Sequence, residues 1–81
     1  MSDNIKQKFV GTVEFFVPKK GWGFIKRDDG KKDIFVFYSD INMEGFKILN
    51  KDDKVTFEEE TRFNDRLVAA NVVVVERKQK S

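Results

Sequence analysis

Trp22, Phe24, Phe35, Phe37 and Tyr38 are the residues of this chain best placed to do chemistry, and that chemistry is stacking. They lie in two short runs, Lys20-Gly21-Trp22-Gly23-Phe24-Ile25 and Asp33-Ile34-Phe35-Val36-Phe37-Tyr38. Rings at alternate positions present π faces side by side. With Lys20, Lys26 and Arg27 interleaved, they suit unpaired bases on a phosphate backbone. Covalent and acid–base chemistry has little to work with. Cysteine and histidine are both absent, which removes disulfides, thiolate and imidazole catalysis and the usual zinc site. Aspartate and glutamate are plentiful, but no pair of them sits in an apolar pocket that the sequence identifies. No enzyme activity, cofactor or metal is therefore expected.

The two runs flank Asp28-Asp29-Gly30, a hairpin signal. Side chains of a strand alternate between faces. Trp22 and Phe24 therefore point one way and Gly23 and Ile25 the other. In the second run Phe35 and Phe37 share a face, opposite Ile34 and Val36. Branched aliphatic side chains pack well inside a small barrel, so the aliphatic face is the natural core. The rings then face outward as an apolar patch of the kind that marks a binding site. The competing arrangement has the rings as the core and another element over the aliphatic face; its periodicity is the same.

Eighty-one residues make one domain with one core. Stability should be on the order of 5 kcal/mol, so a bound ligand should stabilise the fold measurably. The net charge is only +2, and its distribution says more than its sum. Between Val17 and Arg27 lie Lys19, Lys20, Lys26 and Arg27 and no acid. Between Asp52 and Glu60 lie Asp52, Asp53, Glu58, Glu59 and Glu60 against Lys54 alone. The basic stretch adjoins the rings, and the acidic one reads as a solvated face. No apolar run approaches the roughly 18 residues of a membrane span. The N-terminus lacks an apolar signal core. A cytoplasmic compartment and no membrane association are the expectation.

Along the chain, residues 1–7 read as a loose tail. A first strand runs from about Lys8 to Phe16, but its two phases do not separate. Gly11 can admit a bend or bulge, and periodicity does not decide which of Phe15 and Phe16 is buried. Val17-Pro18-Lys19-Lys20-Gly21 is a loop, with Gly21 suited to a positive φ at its exit. Gly23 falls on the inner face, where a missing side chain lets the sheet bend. Ser39-Asp40-Ile41 reads as a short turn. In the loop that follows, Phe46 either pins the loop to the domain or extends the aromatic face. Lys54 to Glu58 is a strand with Val55 and Phe57 inward, and Thr61 to Arg66 is a polar connection in which Phe63 is incidental. Leu67 to about Arg77 is the last strand; Val72 to Val75 suits a strand buried on both sides or one that closes a barrel. Residues 77–81 form a basic tail, leaving 8–76 as the domain. Five short strands without a helical stretch favour a small closed β-barrel.

These segments resemble the cold-shock domain. The likeness lies in Gly11-Thr12-Val13-Glu14-Phe15-Phe16, in the two aromatic runs, and in Glu44-Gly45-Phe46-Lys47, Val55-Thr56-Phe57-Glu58 and Ala69-Ala70-Asn71-Val72. It covers about residues 9 to 74. The RNA-recognition motif shares both aromatic motifs, but in the opposite order and with two helices. The resemblance implies an all-β fold, a five-stranded antiparallel β-barrel of the oligonucleotide-binding kind (OB-fold). It also implies a surface that stacks bases of single-stranded RNA or DNA. By matching positions that surface comprises Phe15, Trp22, Phe24, Phe35, Phe37, Tyr38 and Phe46, with Lys20 as a donor beside it and Asp33 as a base-edge acceptor. Family members act as RNA chaperones, and some control transcription or translation.

The chain departs from the family pattern at four positions. Phe15 stands where tryptophan is usual, Glu14 where lysine is, Val17 where asparagine is and Phe37 where histidine is. Phe15 and Phe37 keep stacking surface but lose donors, Val17 loses a polar base contact, and Glu14 puts negative charge near a polyanion. The expectation is a stacking-dominated binder with little sequence preference, weaker than a typical relative and acting as a monomer. The alternative is a protein-interaction module in which the same patch meets an apolar partner or a second copy of the chain. Salt separates the two, because only nucleic-acid binding weakens steeply with it.

Overall fold

Five strands follow the period-two pattern: β1 (Phe9–Val17), β2 (Trp22–Arg27), β3 (Ile34–Phe37), β4 (Lys54–Arg62) and β5 (Arg66–Glu76). A 3-10 turn, Tyr38–Asp40, follows β3. The computed structural model describes residues 7–45, 47–62 and 64–77. Phe46, Phe63 and the expected tails, apart from Gln7 and Arg77, lie outside the described residues.

The strands close into a barrel in the order β1-β2-β3-β5-β4, with β4 pairing back onto β1. Four seams are antiparallel, as expected. The fifth, β3 with β5, is parallel, with Phe35 opposite Val68 and Val36 opposite Ala69. Parallel neighbours cannot be joined by a tight turn. Here the chain between them passes through the long 38–53 segment and β4.

The core is the aliphatic face. Val13, Ile25, Ile34, Val36, Ile41, Leu49, Val55, Phe57, Ala69 and Val72 form one buried cluster, and Phe9, Phe16, Met43 and Val74 pack against it. The rings of β2 and β3 are not among them, which rules out the arrangement with the rings as the core. Val55 and Phe57 point inward as the pattern required.

Two expectations change and one alternative is decided. The polar connection at Thr61 to Arg66 is shorter, because β4 continues to Arg62. The chain then reverses through Asn64 and Asp65, both at positive φ (62° and 75°), a conformation these two residue types tolerate. The four valines are not buried on both sides: Val72 is buried while Val75 is 58% exposed, as befits a closing strand with one wet face. The acidic stretch is only partly solvated. Asp53 is fully buried, accepts the Asn50 backbone N–H at 3.0 Å and pairs with Arg77 at 3.1 Å. Glu58 reaches Lys8 and Glu59 reaches Arg27. Closing the barrel brings β4 against cations that are distant in sequence.

Candidate nucleic-acid interface

The aromatic face is assembled by register. Across β2–β3, Trp22 stands opposite Phe37 and Phe24 opposite Phe35; across β1–β2, Phe15 stands opposite Phe24. Phe15 reaches this face through a bulge. The pairing steps from Val13–Ile25 to Phe15–Phe24, leaving Glu14 as the extra residue. The extra residue reverses the phase, so Val13 stays in the core, Phe15 turns outward and Phe16 turns back in. That resolves the ambiguity of β1. Gly23 supports the crossing, because a Cβ there would overlap the Phe15 carbonyl and the Phe16 Cα.

Five rings result in continuous contact. Trp22 and Phe35 are stacked, with centroids 5.7 Å apart and planes inclined 27°. Phe24 meets Phe35 edge-on at 5.4 Å, and Phe37 meets Phe35 edge-on at 4.8 Å. Phe15 lies 5.6 Å from Phe24 and 5.9 Å from Trp22. Edge contacts of this kind orient rings against one another. The rings are half-buried in their neighbours and Phe15 is 39% exposed.

Tyr38 extends the patch at the end next to the β1–β2 turn. Its N–H donates to the Gly21 carbonyl at 2.8 Å, and its ring lies over Gly21, where a Cβ would come within 2.8 Å of it. Gly21 has a φ of 75°, the left-handed exit expected of it. The turn is closed by the Lys20 and Gly21 N–H groups, both donating to the Val17 carbonyl. This holds Lys20 exposed beside the rings. A hollow of about 240 Å3 here is lined by Lys19, Lys20, Tyr38 and Lys47 among others. Lys47 was not singled out in the sequence, because the loop that carries it shows no periodic pattern. Asp33 is exposed at the opposite end, just before β3. Phe46 lies outside the described residues.

One arginine leaves the interface and another joins it. Arg27, expected among the backbone cations, is buried: its side chain is 1% exposed, paired with Asp29 at 2.8 Å and Glu59 at 2.6 Å. Its guanidinium lies over Phe9 and Phe57, 4.9 and 5.4 Å from their centroids. Burial opposes its charge, but the hydrogen bonds it donates to Asp29 and Glu59 outweigh that and raise its pKa. Its phase, shared with Gly23 and Ile25, already pointed inward. Arg66 takes a place at the rings instead, 5.3 Å above the centroid of Phe35. It forms no ion pair among the described residues. No local signal announces it, since it meets Phe35 only through the parallel β3–β5 seam.

Arg62, away from the rings, is structural. Arg62 donates to both oxygens of Asp40 at 2.8 Å, which pins the 3-10 turn to β4. With the Glu60 hydrogen bond added, its pKa is raised. Among the described residues no group of three or more carboxylates is gathered to hold a metal ion, and no helix is long and apolar enough to cross a membrane. The aromatic face can offer preformed ring surface bordered by Lys20, Lys47 and Arg66. Planar apolar ligands with an anionic backbone fit that combination.

Comparison with known proteins agrees. The domain family described as the 'cold-shock' DNA-binding domain matches residues 9–75. A cold shock protein 1 of Lactiplantibacillus plantarum is 52% identical over 64 residues, 78% of this chain and 92% of that protein. A cold shock-like protein of Aquifex aeolicus is 54% identical over 50 residues, 62% of this chain and 71% of the relative. A glycine-rich protein 2 of Nicotiana sylvestris is 42% identical over 72 residues, 89% of this chain but only 34% of that longer protein.

Proposed function

The chain belongs to the cold-shock domain family, and on that premise we propose that Phe15, Trp22, Phe24, Phe35, Phe37 and Tyr38 are the platform on which it stacks bases. The domain binds single-stranded nucleic acid and acts in the manner of an RNA chaperone. One observation carries the site assignment. Five rings, linked by centroid distances of 4.8 to 6.2 Å, lie outside a core that is complete without them. Stacking contributes about 1–3 kcal/mol per base and tolerates any base, because every base has a π face.

In this reading Lys20 and Arg66 neutralise phosphates, and Asp33 accepts from a base edge at the rim. Phe15 and Phe37 bring ring area without a hydrogen-bond donor, so the platform discriminates weakly among bases. Chaperone behaviour follows from mass action. A ligand that binds only unpaired strands shifts a marginal duplex toward the open form, by an amount set by its concentration relative to Kd. The unit is residues 8–76, acting as a cytoplasmic, non-catalytic monomer.

Alanine in place of Trp22, Phe24 or Phe35 tests the assignment. Each should weaken binding of oligo-U more than Lys26→Ala does. Normal binding by all three variants would remove the platform. A panel of single-stranded oligonucleotides of equal length should show affinities spread over less than about tenfold. Sharp sequence preferences would contradict a stacking-dominated site.

A further inference from the structure

The aromatic face ends at Asp33, and a second surface begins there. A groove of about 380 Å3 is lined by Arg27, Lys31, Lys32, Asp33, Ile34 and Leu67. Arg27 and Ile34 are buried and form its floor, while Leu67, 41% exposed, supplies an open aliphatic side. Lys31 and Lys32 stand exposed on the β2–β3 loop and form no ion pair among the described residues. The loop is held in shape. Asp29 accepts the Lys31 backbone N–H at 3.0 Å and is itself anchored by the buried Arg27, which donates to it through two nitrogens. The two lysines are thus carried on a backbone tied to the barrel.

Lys31 and Lys32 follow the Asp28-Asp29-Gly30 hairpin signal, and the stacking platform makes no use of them. Leu67 is equally unaccounted for, as a large aliphatic side chain in water on a strand whose next three residues are buried. Two cations and an apolar wall are the same elements as the platform, with an aliphatic surface in place of rings. Asp33 is common to both surfaces. Arg66 is next to Leu67 in the chain and lies over Phe35, so it bridges the two along β5.

We propose that this groove is an additional nucleotide subsite, extending the bound strand past Phe35 around the barrel end. Lys31 and Lys32 contact phosphates and Leu67 packs against a base. The proposal rests on the platform reading and adds a length to it: the footprint exceeds what the rings alone cover. The occupant is single-stranded nucleic acid, because the groove adjoins the ring face through Asp33 and Arg66 and carries two exposed cations that form no ion pair among the described residues.

The test is a length series. Oligo-U of 4 to 10 nucleotides is titrated into the intact chain and into Lys31→Ala/Lys32→Ala at several salt concentrations. Both lysines are exposed, and melting temperatures check that the variant is folded. The wild type should show a step in affinity of about five- to tenfold between short and longer oligomers, beyond the gain from added binding registers. The double variant should lose that step while binding the short oligomers within about twofold of wild type. Its log K against log salt slope should be shallower by about 1.4 for the longer oligomers only, two contacts at about 0.7 each. A Leu67→Asn variant should also lose part of the step, with the salt slope unchanged. Equal weakening at every length, or none at any length, overturns the subsite and leaves the platform standing. Absence of binding by the wild type at low salt overturns both.

Discussion

Two ring pairs in this barrel are near-copies of each other. Phe9 and Phe57 stack with centroids 5.9 Å apart and planes inclined 29°; Trp22 and Phe35 do so at 5.7 Å and 27°. Each pair carries an arginine over a ring, Arg27 at 4.9 Å from Phe9 and Arg66 at 5.3 Å from Phe35. The first pair is closed. Phe57 is fully buried, and Asp29 and Glu59 compensate Arg27. The second is open: Phe9 packs against the core cluster but neither Trp22 nor Phe35 does, and no described carboxylate pairs with Arg66. Aromatic and basic residues in contact thus serve stability where acids and burial complete them, and binding where both are missing. Composition does not separate the two cases; surroundings do.

The largest test of that contrast is Arg27→Ala. Removing the buried guanidinium leaves a cavity against Phe9 and Phe57 and takes the cation from Asp29 and Glu59, and should cost about 3 kcal/mol, over half of a stability on the order of 5 kcal/mol. Denaturant titration measures this. The protein that remains folded should bind oligo-U too short to reach the Lys31 and Lys32 groove as before, and weakened binding of those short oligomers would mean Arg27 belongs to the ring face after all.

Matched leucines at the two pairs come next. Phe57→Leu should lower stability by about 1–2 kcal/mol and leave affinity unchanged. Phe35→Leu should weaken binding by about five- to tenfold and change stability less than Phe57→Leu does. Equal effects of both on either readout would break the distinction. Smaller again, Arg66→Ala and Lys20→Ala should each make the salt slope shallower by about 0.7. Unchanged slopes would show that these cations do not meet phosphate.

The smallest effect is in pH. The Lys31 N–H and then the Arg27 guanidinium hold the Asp29 carboxyl below its ordinary value of 3.8. Its ionised form favours folding, so its contribution is complete above that value and is lost as pH falls through the lower folded one. Asp29→Asn should flatten part of the acid limb of stability below about pH 4. Affinity should be level between about pH 6 and 9, since the chain has neither histidine nor cysteine. A pronounced slope in that window would point to a group outside the platform.

Much of this was legible in the sequence. Alternation assigned Ile25, Ile34 and Val36 to the core and the rings of β2 and β3 to the outside, because both strands are regular. It failed in β1, where one extra residue at Glu14 reverses the phase and no residue type announces it. Arg27 was misread although its phase was correct. Charge suggested a surface position, and the acids that make burial tolerable arrive from the loop and from β4. Val72 to Val75 was ambiguous because an unbroken apolar run hides its own alternation. Arg66, Lys47 and the groove at Lys31, Lys32 and Leu67 depend on which strands become neighbours. The parallel β3–β5 seam joins residues more than thirty positions apart, beyond the reach of any local pattern.

Trp22 is the only tryptophan in the chain and stands at the centre of the ring face. Its fluorescence, followed during titration with short oligo-U, oligo-dT and oligo-A at two salt concentrations, tests the open face most directly. Strong quenching that weakens at high salt is the expected result, of similar depth for all three oligomers. No change with any of them at low salt, with the protein folded, would contradict a nucleic-acid platform. It would leave the aromatic patch to an apolar partner or a second copy of the chain.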